Sequence, residues 1–329
     1  MVYNKYIGII GGTGTIGSII VKYLLQLQTH FHVLIGGRRS IKEISMSTFY
    51  NSERLKYNQM NYNNDVELDN FCSQCLLVIN AVGPSFKIND KIALHALRNN
   101  CHYIDIGGYG ILRDLLKPYE KSIEAQKLCF IIGVGWMPGI SGVFSKTIIE
   151  THLNSPENTN FNIYYGAVDN WSYSSTYDLA ASSMGKTRSY VYSHGKEIQV
   201  SPFRYTHHKF FPFIGHKKIC MPSFDEQLTQ LATSLKQIRK ISTFIMLNDY
   251  ISMGKFMFIK IFYKHNLNKA TLMLQDDYQR LVKKENKWGS VICQVSKIEP
   301  ERKIDTFYYL YTKNNLLSVS YTHLRAHET

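Results

Sequence analysis

Apolar residues fall into two alternating rhythms over the first 145 positions. Short unbroken runs at 6–10, 32–35, 76–80, 103–106 and 129–132 read as buried strands. Between them the apolar positions recur every three or four residues, predicting helices after Gly14 and over 65–72, 90–99 and 112–127. A more polar stretch near 55–60 has the character of an edge strand. Strand and helix in strict alternation predict a doubly wound parallel sheet with right-handed crossovers.

From about residue 146 the pattern changes. Runs mixing aromatic and polar residues at 161–165, 189–193, 196–200 and 306–312 read as strands, with helices over 227–238 and 276–284. Ser193-His194-Gly195-Lys196 reads as a hairpin turn. This half is predicted to be an α+β domain with a mostly antiparallel sheet and helices on one side. The expected domains are thus 1–145 and 146–317. The last segment, 318–329, is polar and rich in His, unlike the Tyr/Phe strand before it. It resembles a translated read-through and is set apart as a non-native tail, with the native chain continuing beyond about residue 317.

The first strand runs into Gly11-Gly12-Thr13-Gly14-Thr15-Ile16-Gly17, where Gly12, Gly14 and Gly17 fit a G-x-G-x-x-G spacing. In that spacing the first glycine allows a tight turn and the second lets the backbone meet a pyrophosphate. The third lets helix pack on strand. The helix start offers N–H groups to the phosphates. The end of the second strand decides between cofactors. An NAD-preferring domain has an acid there, but this chain has Arg38 and Arg39, and its first acid downstream is Glu43. Two guanidinium groups suit a ribose 2′-phosphate. The predicted first domain is therefore a Rossmann-type NADP-binding domain, with Gly12, Thr13, Gly14, Thr15, Ile16, Arg38 and Arg39 as cofactor contacts.

A net charge of +13 on 329 residues would draw in an anionic cofactor and substrate. Base composition explains it equally well, since Lys, Asn, Ile and Tyr are all abundant. The basic residues are scattered and form no nucleic-acid signature. No apolar run nears the ~20 residues of a membrane helix, and no secretory signal precedes the first strand. Neither nucleic acid nor membrane is expected as a partner, and a cytoplasmic location is. The CxxC at Cys72 and Cys75 lacks a second ligand pair, so core packing is expected there. His207 and His208 would point to opposite faces of a strand. No metal is expected.

Three further motifs, with the first, resemble the saccharopine dehydrogenase-like reductase family. They are Asn80-Ala81-Val82-Gly83-Pro84-Ser85-Phe86, His102-Tyr103-Ile104-Asp105-Ile106-Gly107-Gly108 and Gly135-Trp136-Met137-Pro138-Gly139-Ile140-Ser141-Gly142. The resemblance covers about residues 6–146. By the sheet-edge rule the loop of Ala81, Val82, Gly83 and Pro84 lies along the cofactor. Gly107 and Gly108 suggest a close approach by a ligand or another backbone. By resemblance, Trp136, Pro138 and Gly139 sit where nicotinamide and substrate meet, with helix-start N–H groups offered to an anion. Met137 replaces an acid common in that family. Asp105 is a weak catalytic candidate, with capping of the next turn the plainer reading. Trp171 and Arg188 are candidates for substrate contact, and Lys186 could replace Arg188 on a carboxylate.

The expected activity is NADPH-dependent hydride transfer to an imine of an anionic, amino-acid-derived substrate. The alternatives are reduction of an activated C=C or thiazoline-like ring, and a non-catalytic NADP-binding sensor. A homodimer through the second domain stays open.

Overall fold

The computed structural model describes residues 5–27, 30–40, 52–108, 110–152, 156–184, 189–224, 226–298 and 303–313, with the backbone alone of Phe203 and 325–327. It divides into two compact units, Met1–Gly135 and Trp136–Thr329.

The first unit runs β1 (Tyr6–Ile10), α1 (Thr15–Gln26), β2 (Val33–Gly37), β3 (Leu55–Gln59), α2 (Asp65–Ser73), β4 (Cys75–Asn80), α3 (Ser85–Ile88), α4 (Lys91–Arg98), β5 (His102–Asp105), α5 (Gly110–Leu116), α6 (Glu120–Ala125) and β6 (Phe130–Ile131). The strands form one sheet in the order β3-β2-β1-β4-β5-β6. All its pairs are parallel, as in Ile9 opposite Ile35 and Ile79. Alternate side chains feed two cores. Ile9, Val33, Ile35 and Ile79 pack with Val21 of α1. Ile10, Leu34 and Val78 pack on the other face with Phe71 of α2 and Ile92 and Ala96 of α4. The single helix expected over 112–127 is instead α5, a 3-10 turn at Lys117–Tyr119, and α6. Pro118 explains the break, because it lacks an N–H and clashes with the preceding turn.

The second unit runs α7 (Ile140–Thr151), β7 (Thr159–Val168), α8 (Tyr173–Met184), β8 (Ser189–Ser193), β9 (Lys196–Val200), α9 (Pro202–Tyr205), β10 (His207–Phe211), β11 (His216–Pro222), α10 (Glu226–Ser234), β12 (Lys240–Leu247), α11 (Tyr250–Phe262), α12 (Leu267–Lys284), β13 (Trp288–Ile298), β14 (Lys303–Thr312) and β15 (Arg325–His327). Phe144, Ile148 and Ile149 of α7 sit in this unit's core. The loop from Trp136 and the helix it enters therefore belong here. Nine strands form a mixed sheet in the order β10-β11-β12-β7-β13-β14-β15, with the β8–β9 hairpin attached to β12. Only β12–β7 is parallel among its pairs. The β8–β9 turn has His194 at φ 49° and Gly195 at φ 72°, the backbone of a two-residue hairpin. The sheet curls, so that Phe213 beyond β10 stacks on Tyr309 of β14 at 4.1 Å.

Within the segment set apart at 318–329, the described residues are 325–327. These residues pair antiparallel with Phe307–Tyr309 of β14. An open strand edge is a ready template for any extended backbone. The rest of 318–329 lies outside the described residues.

Candidate functional site

In the first unit the strand order reverses direction between β1 and β4, and open α/β sheets bind ligands at that point, beyond the C-terminal strand ends. The loops after β1, β2, β4 and β5 meet at this edge.

Gly11, not Gly12, makes the tight turn. It has φ +84°, donates its N–H to Gly36 O at 2.8 Å and accepts from Gly14 N at 2.9 Å. Gly12 instead packs under β2, where an added Cβ would lie 2.8 Å from Ile35. Gly17 has the role its spacing predicts, because a Cβ there would lie 2.2 Å from Gly11 O. Gly14 and Thr15 are exposed, with Thr13 and Ile16 half-buried beside them. A Cβ on Gly14 would find only Gly11 O, at 3.1 Å. The first turn of α1 carries neither a side-chain cap nor an acid, so its N–H groups and dipole end face outward.

Arg38 and Arg39 follow β2, both exposed. Their backbone is pinned from β3. The Tyr57 hydroxyl bridges the carbonyls of Gly37 (3.0 Å) and Arg39 (2.5 Å), and Gln59 Nε2 donates to Arg38 O at 3.3 Å. Neither guanidinium is ion-paired with another described residue; Glu43 lies outside them. The loop after β4 is fixed as firmly. Ala81 N donates to Ile10 O (2.9 Å) and Val82 N to Asn80 Oδ1 (3.0 Å). Pro84, after a cis peptide from Gly83, opens α3. The loop touches the glycine turn, where a Cβ on Gly11 would lie 3.0 Å from the Ala81 backbone.

Asp105 ends β5, 2% exposed. Its Oδ2 accepts from Asn80 Nδ2 (2.8 Å) and the Tyr103 hydroxyl (2.6 Å), and its Oδ1 from Gly107 N (2.8 Å) and Gly108 N (2.6 Å). A buried carboxylate is tolerable only with such partners. Burial, and then the neighbouring Asp105 carboxylate, push the Tyr103 phenol well above its usual range. Asp105 thus caps the turn after β5 and, through Asn80, holds the loop after β4. The glycines of that turn are needed by the protein itself. A Cβ on Gly107 would lie 1.9 Å from Ser85 Oγ, and one on Gly108 2.9 Å from Leu112. A small cleft opens beside them, lined by Asn80, Ser85, Phe86, Asp105 and Gly108.

In the second unit, Trp136 and Met137 pack against the core, and a cis peptide joins Met137 to Pro138. The N–H expected to be offered by Gly139 is already used, donating to Gln227 Oε1 of α10 at 2.8 Å. Gln227 lies across the start of α7, where a Cβ on Gly142 would come within 2.1 Å of it. A lone Gln on a helix gives no sequence signal for this. Trp171 stacks on Tyr278 of α12 at 4.7 Å. Arg188 and Lys186 lie outside the described residues. Cys72 and Cys75 are buried, and burial pushes the Cys75 thiol up to about 12. His207 packs on Tyr164 and Phe244, while His208 faces Tyr250.

Residues 7–129 match the family model for the saccharopine dehydrogenase NADP binding domain. The match spans nearly all of the first unit. The glycine turn, the uncapped helix start and the paired arginines fit NADP, and the chain is an NADP-dependent oxidoreductase. Among solved structures, apo saccharopine dehydrogenase (L-Glu forming) from Saccharomyces cerevisiae is similar over 96% of this chain and 88% of its own, at 12% identity and TM-score 0.65. That likeness concerns fold alone. A dehydrogenase (MviM) from Clostridium difficile aligns over 98% of this chain and 83% of its own, at 8% identity and TM-score 0.41. No curated protein sequence matches.

Proposed function

We propose that the protein transfers a hydride from NADPH to the carbon of an imine formed on an amino-acid-derived, anionic substrate. The observation that carries this reading is the state of Asp105. It and Tyr103, the ionisable side chains at the end of β5, are hydrogen-bonded to each other, and the carboxylate accepts three further donors. Neither is poised as a proton donor. A protonated imine needs none, since its carbon is already electrophilic; a ketone would need one.

The bound cofactor supplies the hydride. The chain's own residues bind and orient. Thr13, Gly14, Thr15 and Ile16 face the pyrophosphate with backbone, and Arg38 and Arg39 neutralise the 2′-phosphate. Ala81 to Pro84 form a wall held by Asn80. The turn at Gly107 and Gly108, the Trp136–Pro138–Gly139 loop, Trp171 and Arg188 are assigned to the substrate, with Arg188 on a carboxylate. For an anion to use the start of α7, Gln227 must swing aside.

NADPH consumption should be followed with amino acids and carbonyl compounds, separately and together. The expected result is turnover only when both are present, or with a preformed cyclic imine. Reduction of an activated C=C acceptor alone would replace this reading with ring or alkene reduction.

A further inference from the structure

Helix α11 is apolar on both sides. Its inner side sets Phe256 and Ile259 into the core. Its outer side carries Ile251 (51% exposed), Phe258 (39%), Ile261 (65%) and Phe262 (65%). With Gly254, where an added Cβ would meet nothing within 4 Å, these positions make one helical stripe. The Phe258 and Phe262 rings lie 4.5 Å apart, and Leu272 on α12 is 57% exposed. A helix that is apolar all round belongs against something on each side.

Along this segment of the chain the charges have one sign. From Tyr250 to Gln275 the chain has Lys255, Lys260, Lys264, His265 and Lys269 and no acid. Lys255 is spoken for by Asp276 (2.8 Å) and Asp277 (3.4 Å). Lys264, His265 and Lys269 are exposed where α11 turns into α12. Lys260 is half-buried, its Nζ 5.0 Å from the centre of the Phe256 ring.

We propose that α11 is a docking face for an anionic bilayer surface. The helix lies in the plane of the interface, with Phe258, Ile261 and Phe262 at the acyl boundary and Lys264 and Lys269 at the headgroup phosphates. Charge selects this occupant over a second copy of the chain. A self-contact through this stripe would bring like lysine sets together on a chain of net charge +13, whereas an acidic bilayer offers both the apolar layer and the opposite charge. Among the described residues no helix is long and apolar enough to cross a membrane, so the contact is peripheral.

The test is co-sedimentation of the full chain with phosphatidylcholine vesicles, with and without phosphatidylserine. Binding is expected to the acidic vesicles only, and to fall at high salt. The double variants Ile261→Asp/Phe262→Ser and Lys264→Glu/Lys269→Glu should each lower it on the order of tenfold. These sites are solvent-facing, so NADPH affinity and Tm should stay at parental values. Ile261→Trp should give a blue-shifted emission on acidic vesicles. No binding to acidic vesicles, or binding equal in both double variants and parent, overturns the proposal. So does a dimer in ultracentrifugation that Ile261→Asp/Phe262→Ser disperses, which would assign the face to a second copy.

Discussion

At the residue scale, Gly14 and Gly17 separate binding from folding within one turn. A side chain on Gly14 points into open space beyond one contact at 3.1 Å, whereas one on Gly17 strikes backbone at 2.2 Å. Gly14→Val is therefore expected to abolish NADPH binding in calorimetry with little change in Tm. Gly17→Ala should lower Tm sharply, by a few kcal/mol of stability. The reverse pattern would mean that the turn is only structural. Arg38 and Arg39 carry cofactor choice. Replacing both with Ala should remove on the order of 2–4 kcal/mol of NADPH affinity and leave NADH affinity unchanged, if two charge-assisted contacts are lost. Equal affinity of the parent for the two cofactors would refute the assignment.

At the scale of elements, the α11–α12 pair is tied at one end by Asp249. It caps α11 through Ser252 N (2.8 Å) and receives two hydrogen bonds from Arg280 of α12, at 2.7 and 3.0 Å. Burial alone would raise its carboxyl, but the Arg280 and Ser252 hydrogen bonds outweigh it and hold the group down at about 2, below the ordinary 3.8. The stabilisation is therefore full above the ordinary value and is lost as pH falls through about 2. Asp249→Asn keeps a capping acceptor but no charge. It should cost about 1 kcal/mol at neutral pH, a difference that closes below the folded-state value. Unfolding followed by tryptophan emission checks this, because Trp136, Trp171 and Trp288 all lie in the second unit.

The elements of the first unit were legible because buried parallel strands are continuous apolar runs ended by glycine or polar turns. The strands β10 to β13 were not. Lys218 faces inward on β11, 1% exposed, satisfied by Asn248 at 2.6 Å and Glu285 at 2.9 Å. Gln294 of β13 is buried as the acceptor of Tyr164 and Lys209. Such positions break the alternation on which strand recognition rests, and their partners lie 30 to 130 residues away in the chain. At the site, the glycine spacing and the arginines were readable. The saturation of Asp105 by Asn80 and the plugging of Gly139 by Gln227 were not, since each depends on two segments meeting.

For the whole molecule, the decisive feature is that the chain passes once from one unit to the other, at Gly135. The glycine turn, the arginine pair and the loop after β4 all precede it. Residues 1–135 expressed alone are thus expected to fold and to bind NADPH with the affinity of the full chain; a fragment that folds but binds far more weakly would mean that the second unit supplies part of the cofactor site. The same division has a bearing on descent. A dinucleotide is the same molecule in every lineage, so the stretch that grips it is held to a narrow set of residues, and its ancestry stays readable at 7–129. The matched stretch ends before Gly135. Over the whole chain the likeness is one of fold, an alignment of 96% of its length that keeps 12% of its letters.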